Sequence, residues 1–480
     1  MPLEEVHIGP RSPACFEPLL GAARFAEFEK VAAQLRARLD GRVVWNVNSN
    51  AAGGGVAEML ASLLSYVRGT GVDTRWVVIS GEAEFFRLTK RLHNAMHGEV
   101  GDGSPLGHNE RKIYERICDE NADSLCERVR EGDFVLLHDP HTAGMIPKVV
   151  ERGARVVWRC HIGNDQPCEE SEKAWLFLAP YLAQAHSFIF SRFAYVPDFC
   201  DHVRSVIQPP SIDPFSPKNQ EMDEDAIRAI LVHADIVAGP LGKGAPTFTL
   251  EDGTPSRVDR KAVVLRDGPA LAWDTPVVVQ VSRWDRLKDP VGVLAGFAEL
   301  RGELADLVLA GPAVSGVTDD PEGAEVYQEV IDYWKSLPES VRRRVHLVSL
   351  PMDDIQENAA MVNALQRHAT VIVQKSLREG FGLTVTEAMW KARPVLASAV
   401  GGIQDQVEHG VSGMLLRDPS DSSRFAAMLK QLLEDPDLAD RLGRNAKIRA
   451  GQLYLALGSL VRYAGLLDHL DRRAEALTSK

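Results

Sequence analysis

Several common protein classes announce themselves by signals that this sequence lacks. Its six cysteines, Cys15, Cys118, Cys126, Cys160, Cys168 and Cys200, include no C-x-x-C pair. Nothing in their spacing points to a zinc site or a dithiol redox centre, and idle or buried thiols are expected. Positive charge is scarce as well: 54 lysines and arginines face 67 aspartates and glutamates, a formal net charge of -13. Binding nucleic acid requires clustered basic side chains to neutralise phosphates, so no nucleic-acid partner is expected. The opening MPLEEVHIGPRSP has neither a basic flank nor a continuous apolar run. It reads as neither a secretory leader nor a membrane span, so the expected address is cytoplasmic and no membrane partner is expected. No H-E-x-x-H, EF-hand, Walker A or G-x-S-x-G sequence occurs, which removes the anchors of metalloprotease, P-loop ATPase and α/β-hydrolase readings. No metal-ligand cluster is visible, and no short-period repeat is found.

Apolar residues make up 45% and charged residues 25% of the chain, ordinary globular usage. A length of 480 residues exceeds one core and suits two domains with a cleft between them. Short β-branched runs recur between amphipathic stretches: VVWNVNS, RWVVIS, DFVLLHD, RVVWRCH and SFIFS, then PVVVQVSR, ADLVLAG, RVHLVSL, TVIVQKS and RPVLASA. Buried parallel strands read this way, and strand alternating with helix twice over predicts two doubly wound α/β sheets. The turn Pro209-Pro210-Ser211-Ile212-Asp213-Pro214 marks the boundary. Expected domains are therefore 1–214, 215–452 and a C-terminal helix over 453–480 that packs back across both. The first forty residues carry helical apolar spacing and no strand signal, and read as a helical preface. Residues Val237 to Thr275, rich in Gly, Pro and Asp, read as an insertion or surface excursion.

The sharpest local pattern is Lys375-Ser376-Leu377-Arg378-Glu379-Gly380-Phe381-Gly382-Leu383-Thr384-Val385-Thr386-Glu387. A strand ends, a glycine-containing loop turns and a helix begins. Backbone N–H groups at Gly380, Phe381, Gly382 and Leu383 then suit a phosphate, while Glu379 and Glu387 flank the anion as hydroxyl acceptors. The plainer alternative makes both glutamates solvated surface acids. Arg283 and Lys288 also follow a strand, at the sheet edge where open α/β folds bind ligands. They could neutralise a diphosphate without a metal, or simply be solvated cations. In the first half, Gly53-Gly54-Gly55 follows a strand and opens a helix, without the G-x-G-x-x-G spacing of a dinucleotide site. His161 closes one strand and His138 with Asp139 closes another, gathering three polar groups at one edge. A strand-end histidine is also often a structural hydrogen-bonder.

Glu379 and Glu387 in an E-x7-E arrangement, behind Arg283 and Lys288, resemble the retaining glycosyltransferases of family 4 with the GT-B fold. Within that family the chain is most similar to the trehalose synthases. The resemblance runs through Gly53 to Glu58, Glu84-Phe85-Phe86, Thr89-Lys90, His93-Asn94-Ala95, Pro209 to Pro214, Arg378 to Lys391 and Val400-Gly401-Gly402-Ile403. It implies two Rossmann-like domains facing a cleft, and reversible transfer of glucose from a nucleoside-diphosphate glucose to glucose, giving trehalose, with no cofactor or metal. By the same resemblance Glu387 would bind the ribose, Glu379 the donor glucose hydroxyls, and Arg283 with Lys288 the diphosphate. Ser376, Gly380, Phe381, Gly382 and Leu383 would complete the donor site. His161 would approach the donor sugar, Gly54 and Gly55 would border the reaction centre, and Glu84, Lys90, His93 and Asp139 are acceptor-side candidates. A homodimer is compatible with this reading. The competing expectations are a trehalose phosphorylase, a family 4 transferase with another acceptor, and a catalytically silent sugar-nucleotide-binding protein.

Overall fold

The β-branched runs become buried parallel strands. In the computed structural model, which describes residues 3–51, 55–100, 103–300, 302, 304–314 and 321–478, the chain divides into two compact units. One comprises Met1–Ser211 with Ala456–Lys480, and the other Ile212–Leu455. The first break thus falls inside the proline-rich turn, and the C-terminal segment is counted with the first unit.

Strands of the first unit are β1 (Glu4–Val6), β2 (Val44–Asn48), β3 (Thr74–Val78), β4 (Phe134–His138), β5 (Arg155–Cys160), β6 (Ser187–Phe190) and β7 (Ser205–Ile207). They form one sheet in the order β1-β3-β2-β4-β5-β6-β7. Neighbours are parallel, except that β1 runs antiparallel to β3. Every residue of β2 and β4 is buried, because helices cover parallel sheets on both faces and leave no solvent side to favour polar alternation. Two cores result: Val77 packs with Trp45, Leu137 and Trp158 on one face, while Trp76 and Val78 pack with Leu60 and Leu64 on the other.

The first forty residues are not wholly helical, which corrects the sequence reading. The 17-residue helix Ala22–Arg38 is present, but Glu4–Val6 adds a strand. Glu-Glu-Val has no alternation of its own, and the edge of β3 supplies its pairing. The C-terminal helix also starts later than expected, at Ala456, since Leu453 ends the preceding helix Pro436–Leu453. Helix Ala456–Thr478 packs on the helices Ala22–Arg38 and Gly55–Gly69. Its Asp471, 3% exposed, receives hydrogen bonds from Arg42 and Arg38 and an ion pair from Arg155. The Arg42 hydrogen bond, the largest influence, holds that carboxyl below the usual range despite burial.

The second unit contains β8 (Val237–Ala238), β9 (Thr247–Thr249), β10 (Pro255–Arg257), β11 (Val263–Leu265), β12 (Leu271–Ala272), β13 (Val277–Val281), β14 (Asp306–Pro312), β15 (Val345–Leu350), β16 (Val371–Gln374), β17 (Val395–Ser398) and β18 (Met414–Leu416). Its main sheet runs β11-β15-β14-β13-β16-β17-β18, and β9/β10 and β8/β12 form two small sheets. Residues 237–275 are therefore more than a surface excursion. They supply β11, an antiparallel edge strand on β15, and bury Phe248, Val258, Ala262 and Leu271 in the unit's core. Short strands broken by Gly and Pro hide this from periodicity.

Each sheet has a point where strand order reverses: β2 lies between β3 and β4, and β13 between β14 and β16. Open α/β sheets bind ligands at the carboxyl ends of strands at such points. The residues following β13 and β16, and those following β2 and β4, are thereby singled out. Among the described residues no helix is long and apolar enough to cross a membrane.

Candidate active site

In the second unit the loops after β13 and β16 are tied together by one buried side chain. Gln280, near the end of β13, accepts from the Lys375 N–H at 3.2 Å and donates to the Lys288 carbonyl at 3.0 Å. That bracket brings Lys288 and Glu379 together: Lys288 Nζ lies 2.5 Å from Glu379 Oε2, with the side chains 18% and 12% exposed. Ser376, fully buried, accepts from Gln374 at 2.9 Å and donates its hydroxyl proton to the same Glu379 oxygen at 3.3 Å. Its side chain thus positions Glu379. A second pair, Lys375 with Asp289, braces the loop beneath. The Arg283 guanidinium is 59% exposed and lies 3.0 Å from Asp285.

Helix Leu383–Trp390 begins directly behind Glu379, with Gly382 at its N-cap and no side chain capping the first turn. Gly382 has φ +85°, and a Cβ there would stand 2.9 Å from Ile403 Cγ1 and 3.2 Å from Glu379 Cγ. Only glycine combines that backbone with such close approach. The Val385 N–H bonds the Gly382 carbonyl at 3.0 Å, while the N–H groups of Leu383 and Thr384 precede any i−4 acceptor within the helix, and the positive end of the helix dipole adds to their pull on an anion. Phe381 is buried and packs edge-on against Tyr454. The carbonyl of Gly380 accepts from the Gly402 N–H at 3.1 Å, and Leu383 is half-buried.

Glu387, on the same helix, is 3% exposed and no solvated surface acid. Its Oε1 lies 3.4 Å from Lys218 Nζ, while Oε2 is buried without a partner among the described residues. A carboxylate oxygen shut away from water is costly unless something bonds it, so this atom is suited to a ligand hydroxyl. Lys391, one turn on, donates to Asn219 Oδ1 at 3.0 Å. Burial pushes its pKa down, against the pull of Glu387.

In the first unit, His138 Nδ1 and His161 Nε2 are 3.1 Å apart, with the rings stacked at 10°. Asp139 adopts φ 62°, a turn that aims its Oδ1 at the His161 N–H, 2.8 Å away. Burial lowers His138 to about 3 and raises Asp139 to about 7; the His161 N–H and Arg159 partly oppose the latter shift. His161 is also shifted well down by burial. The sequence-predicted trio is therefore one connected group of neutral imidazoles beside a carboxyl, fit to exchange hydrogen bonds with hydroxyls.

Lys90 and His93 lie on helix Ala83–Met96. His93 packs edge-on against His97, 4.9 Å between ring centroids, and burial lowers its pKa, with His97 and Lys90 acting in the same direction. Glu84 is not brought to this group. At 100° per residue it projects from the side of the helix opposite His93, and it is exposed. Gly55 is the exposed first residue of helix Gly55–Gly69, whereas Gly54 lies outside the described residues.

Sequence reasoning missed Lys218, Lys391 and His141. His141 belongs with the first-unit histidines: its Nδ1 is buried without a partner among the described residues, and burial lowers it to about 4. Lys218 follows the proline-rich turn, which the sequence marks as a boundary and as part of the resemblance. No local spacing connects it to Glu387. Among the described residues no group of three or more His, Cys, Asp and Glu side chains is arranged to hold a metal ion.

Two doubly wound units, with an ion pair and an uncapped helix N-terminus at the carboxyl edge of the second, define a GT-B glycosyltransferase, and the chain is an enzyme of that class. Residues 46–197 match the family model described as trehalose synthase, N-terminal domain, and residues 265–449 match glycosyl transferases group 1. A trehalose synthase of Pyrococcus horikoshii is 32% identical over 98% of this chain and 99% of its own. One of Thermococcus litoralis is 34% identical over 88% of this chain and 89% of its own. The chain belongs to the trehalose synthase family. Among solved structures, an α,α-trehalose-phosphate synthase (UDP-forming) from Burkholderia xenovorans, in complex with glucose-6-phosphate, has a TM-score of 0.64 at 14% identity, covering 89% of this chain and 100% of that one. That likeness speaks to the fold.

Proposed function

We propose that the enzyme transfers a glucosyl unit from a nucleoside-diphosphate glucose to free glucose, forming trehalose with retention at the donor carbon, and that the reaction is reversible. The observation that carries the reading is the Lys288–Glu379 pair at the N-terminus of helix Leu383–Trp390. The lysine and the helix N-terminus match a leaving diphosphate, and the carboxylate matches sugar hydroxyls. The buried, unpartnered oxygen of Glu387 is the acceptor offered to the ribose. The names carried by the full-length relatives support the trehalose product.

In this mechanism Glu379, held by Lys288 and Ser376, accepts hydrogen bonds from the donor sugar's hydroxyls. As the bond from the anomeric carbon to the diphosphate breaks, negative charge gathers on the phosphate. Lys288 then answers to it more than to Glu379, lowering the barrier because the attraction grows toward the transition state. The acceptor oxygen bonds to the same face of the carbon, and its proton passes to the departing phosphate oxygen. His161, positioned by Asp139 and His138, is assigned to the donor sugar, and Lys90 and His93 to the acceptor. Arg283 lends long-range charge.

The test is incubation with glucose and a panel of nucleoside-diphosphate glucoses, with and without exhaustive EDTA, and a parallel reaction of trehalose with inorganic phosphate. A nonreducing α,α-linked disaccharide formed from a nucleotide donor despite EDTA is expected. Phosphate-dependent trehalose cleavage with no use of any nucleotide donor would replace this reading by a phosphorylase. A different disaccharide would reassign the acceptor. Restoration by magnesium or manganese would overturn the metal-independent charge supply.

A further inference from the structure

At the opposite edge of the first sheet, where β2, β3 and β4 begin, lies a polar cavity of about 320 Å³. We propose that it is a second, noncatalytic ligand site, which takes a small phosphate-bearing anion. Five arginines line it, Arg36, Arg42, Arg75, Arg128 and Arg130, against two aspartates, Asp40 and Asp73. Asp471 and Glu5 pair with Arg42 and Arg128 from just outside the lining, and Asp73 with Arg75, so the positive charge left over is that of Arg36 and Arg130, in a chain whose net charge is -13. A local concentration of guanidinium against the sign of the whole molecule focuses anions at that spot. Arginine's fork of donors suits phosphate oxygens in particular.

Three of the five are held in place by acids. Arg42 is fixed from behind by Asp471 at 2.8 Å. Arg75 is bidentate on Asp73 and stands over the Trp45 ring. Arg128 meets Glu5 at 3.1 Å. The other two have charge to spare. Arg36 gives one N–H to the Thr70 carbonyl at 3.3 Å, and the Arg130 side chain makes no hydrogen bond or ion pair among the described residues. Both are exposed. Gly71, with φ +84°, lets the Arg36 stem pass close by: a Cβ there would meet Arg36 Cδ at 3.1 Å. Three braced guanidinium groups and two exposed ones without an acid partner among the described residues line a cavity that a phosphate can enter. The cavity lies at the start of β4, whereas His138 and Asp139 lie at its end, a separation of roughly 15 Å at about 3.3 Å per residue. It is therefore no part of the catalytic edge of this unit.

The test uses the full chain and its Arg36→Ser/Arg130→Ser double variant, neither residue being in the catalytic machinery. Inorganic phosphate, pyrophosphate and glucose 6-phosphate are the probes, titrated by calorimetry with a saturating nucleoside diphosphate present to occupy the donor site. The wild type should bind at least one probe, with an affinity that falls steeply with added salt. The double variant should bind it about tenfold or more weaker, with kcat and KM for transfer unchanged. Preference for glucose 6-phosphate over the two inorganic anions would identify a sugar phosphate as the ligand, and the reverse an inorganic one. No binding of any probe at millimolar concentration, or equal binding by wild type and double variant, would overturn the proposal.

Discussion

Lys288→Ala removes the cation from an ion pair whose members are 18% and 12% exposed, and it should separate two effects that one number would conflate. The first is on stability. Glu379 keeps the Ser376 hydroxyl at 3.3 Å but loses its lysine, and taking the counter-charge from a mostly buried carboxylate costs about 1–3 kcal/mol. The second is on chemistry, since a group aimed at developing leaving-group charge is worth about 10²–10³ in turnover, or ~3–4 kcal/mol. Adding Glu379→Gln should recover most of the lost stability, because the uncompensated negative charge is gone, and none of the turnover. Arg283→Ala is the comparison. With its guanidinium 59% exposed on Asp285, its loss should change stability by less than about 0.5 kcal/mol and turnover by about tenfold. Urea melts followed by circular dichroism measure the first effect. Turnover at saturating nucleoside-diphosphate glucose and glucose, with single-turnover rates, measures the second. The reasoning fails if folded Lys288→Ala keeps kcat within about threefold of wild type, a difference of under ~0.7 kcal/mol in the barrier.

Glu387→Gln and Lys218→Ala should both raise the donor KM with little change in kcat, because the ribose lies away from the reacting carbon; initial-rate kinetics in donor concentration check this, and a kcat collapse in either would count against it. Burial lowers His138 to about 3 and His141 to about 4, so they stay neutral in the folded chain while the unfolded chain takes up protons below about 6.5. Stability should therefore fall as pH drops from 7 toward 4, by about 2 kcal/mol at pH 5 for His138 alone, and His138→Gln should flatten the dependence of thermal midpoint on pH. Gly382→Ala, at φ +85° and 2.9 Å from Ile403 Cγ1, should cost about 1–3 kcal/mol and lower turnover by displacing Glu379, both measurable on one purified variant.

Ten strands were legible without coordinates, because parallel strands covered on both faces are short apolar runs in any context. The same local logic located the Glu379 to Glu387 segment, since a strand, a glycine turn and a helix start are all written in neighbouring residues. It also grouped His138, Asp139 and His161, which end adjacent parallel strands. Pairing between distant residues was not legible. β1 is a strand because β3 offers an edge, and residues 263–265 join the second sheet because β15 does. Nothing in Glu-Glu-Val or Val-Val-Leu requires either. Glu84 and His93 were both acceptor-side candidates until the helix set them on opposite sides. Lys218 meets Glu387 across 169 positions, and Arg36, Arg75 and Arg130 share a cavity only because three strands begin side by side. By itself the sequence determined which segments are strands, which glycine turn opens a helix behind a strand and which family the chain resembles, since these depend on residues close in the chain. Tertiary structure decided which charges face one another and which carboxylate oxygen stays unpaired, because those depend on how the sheets order their strands.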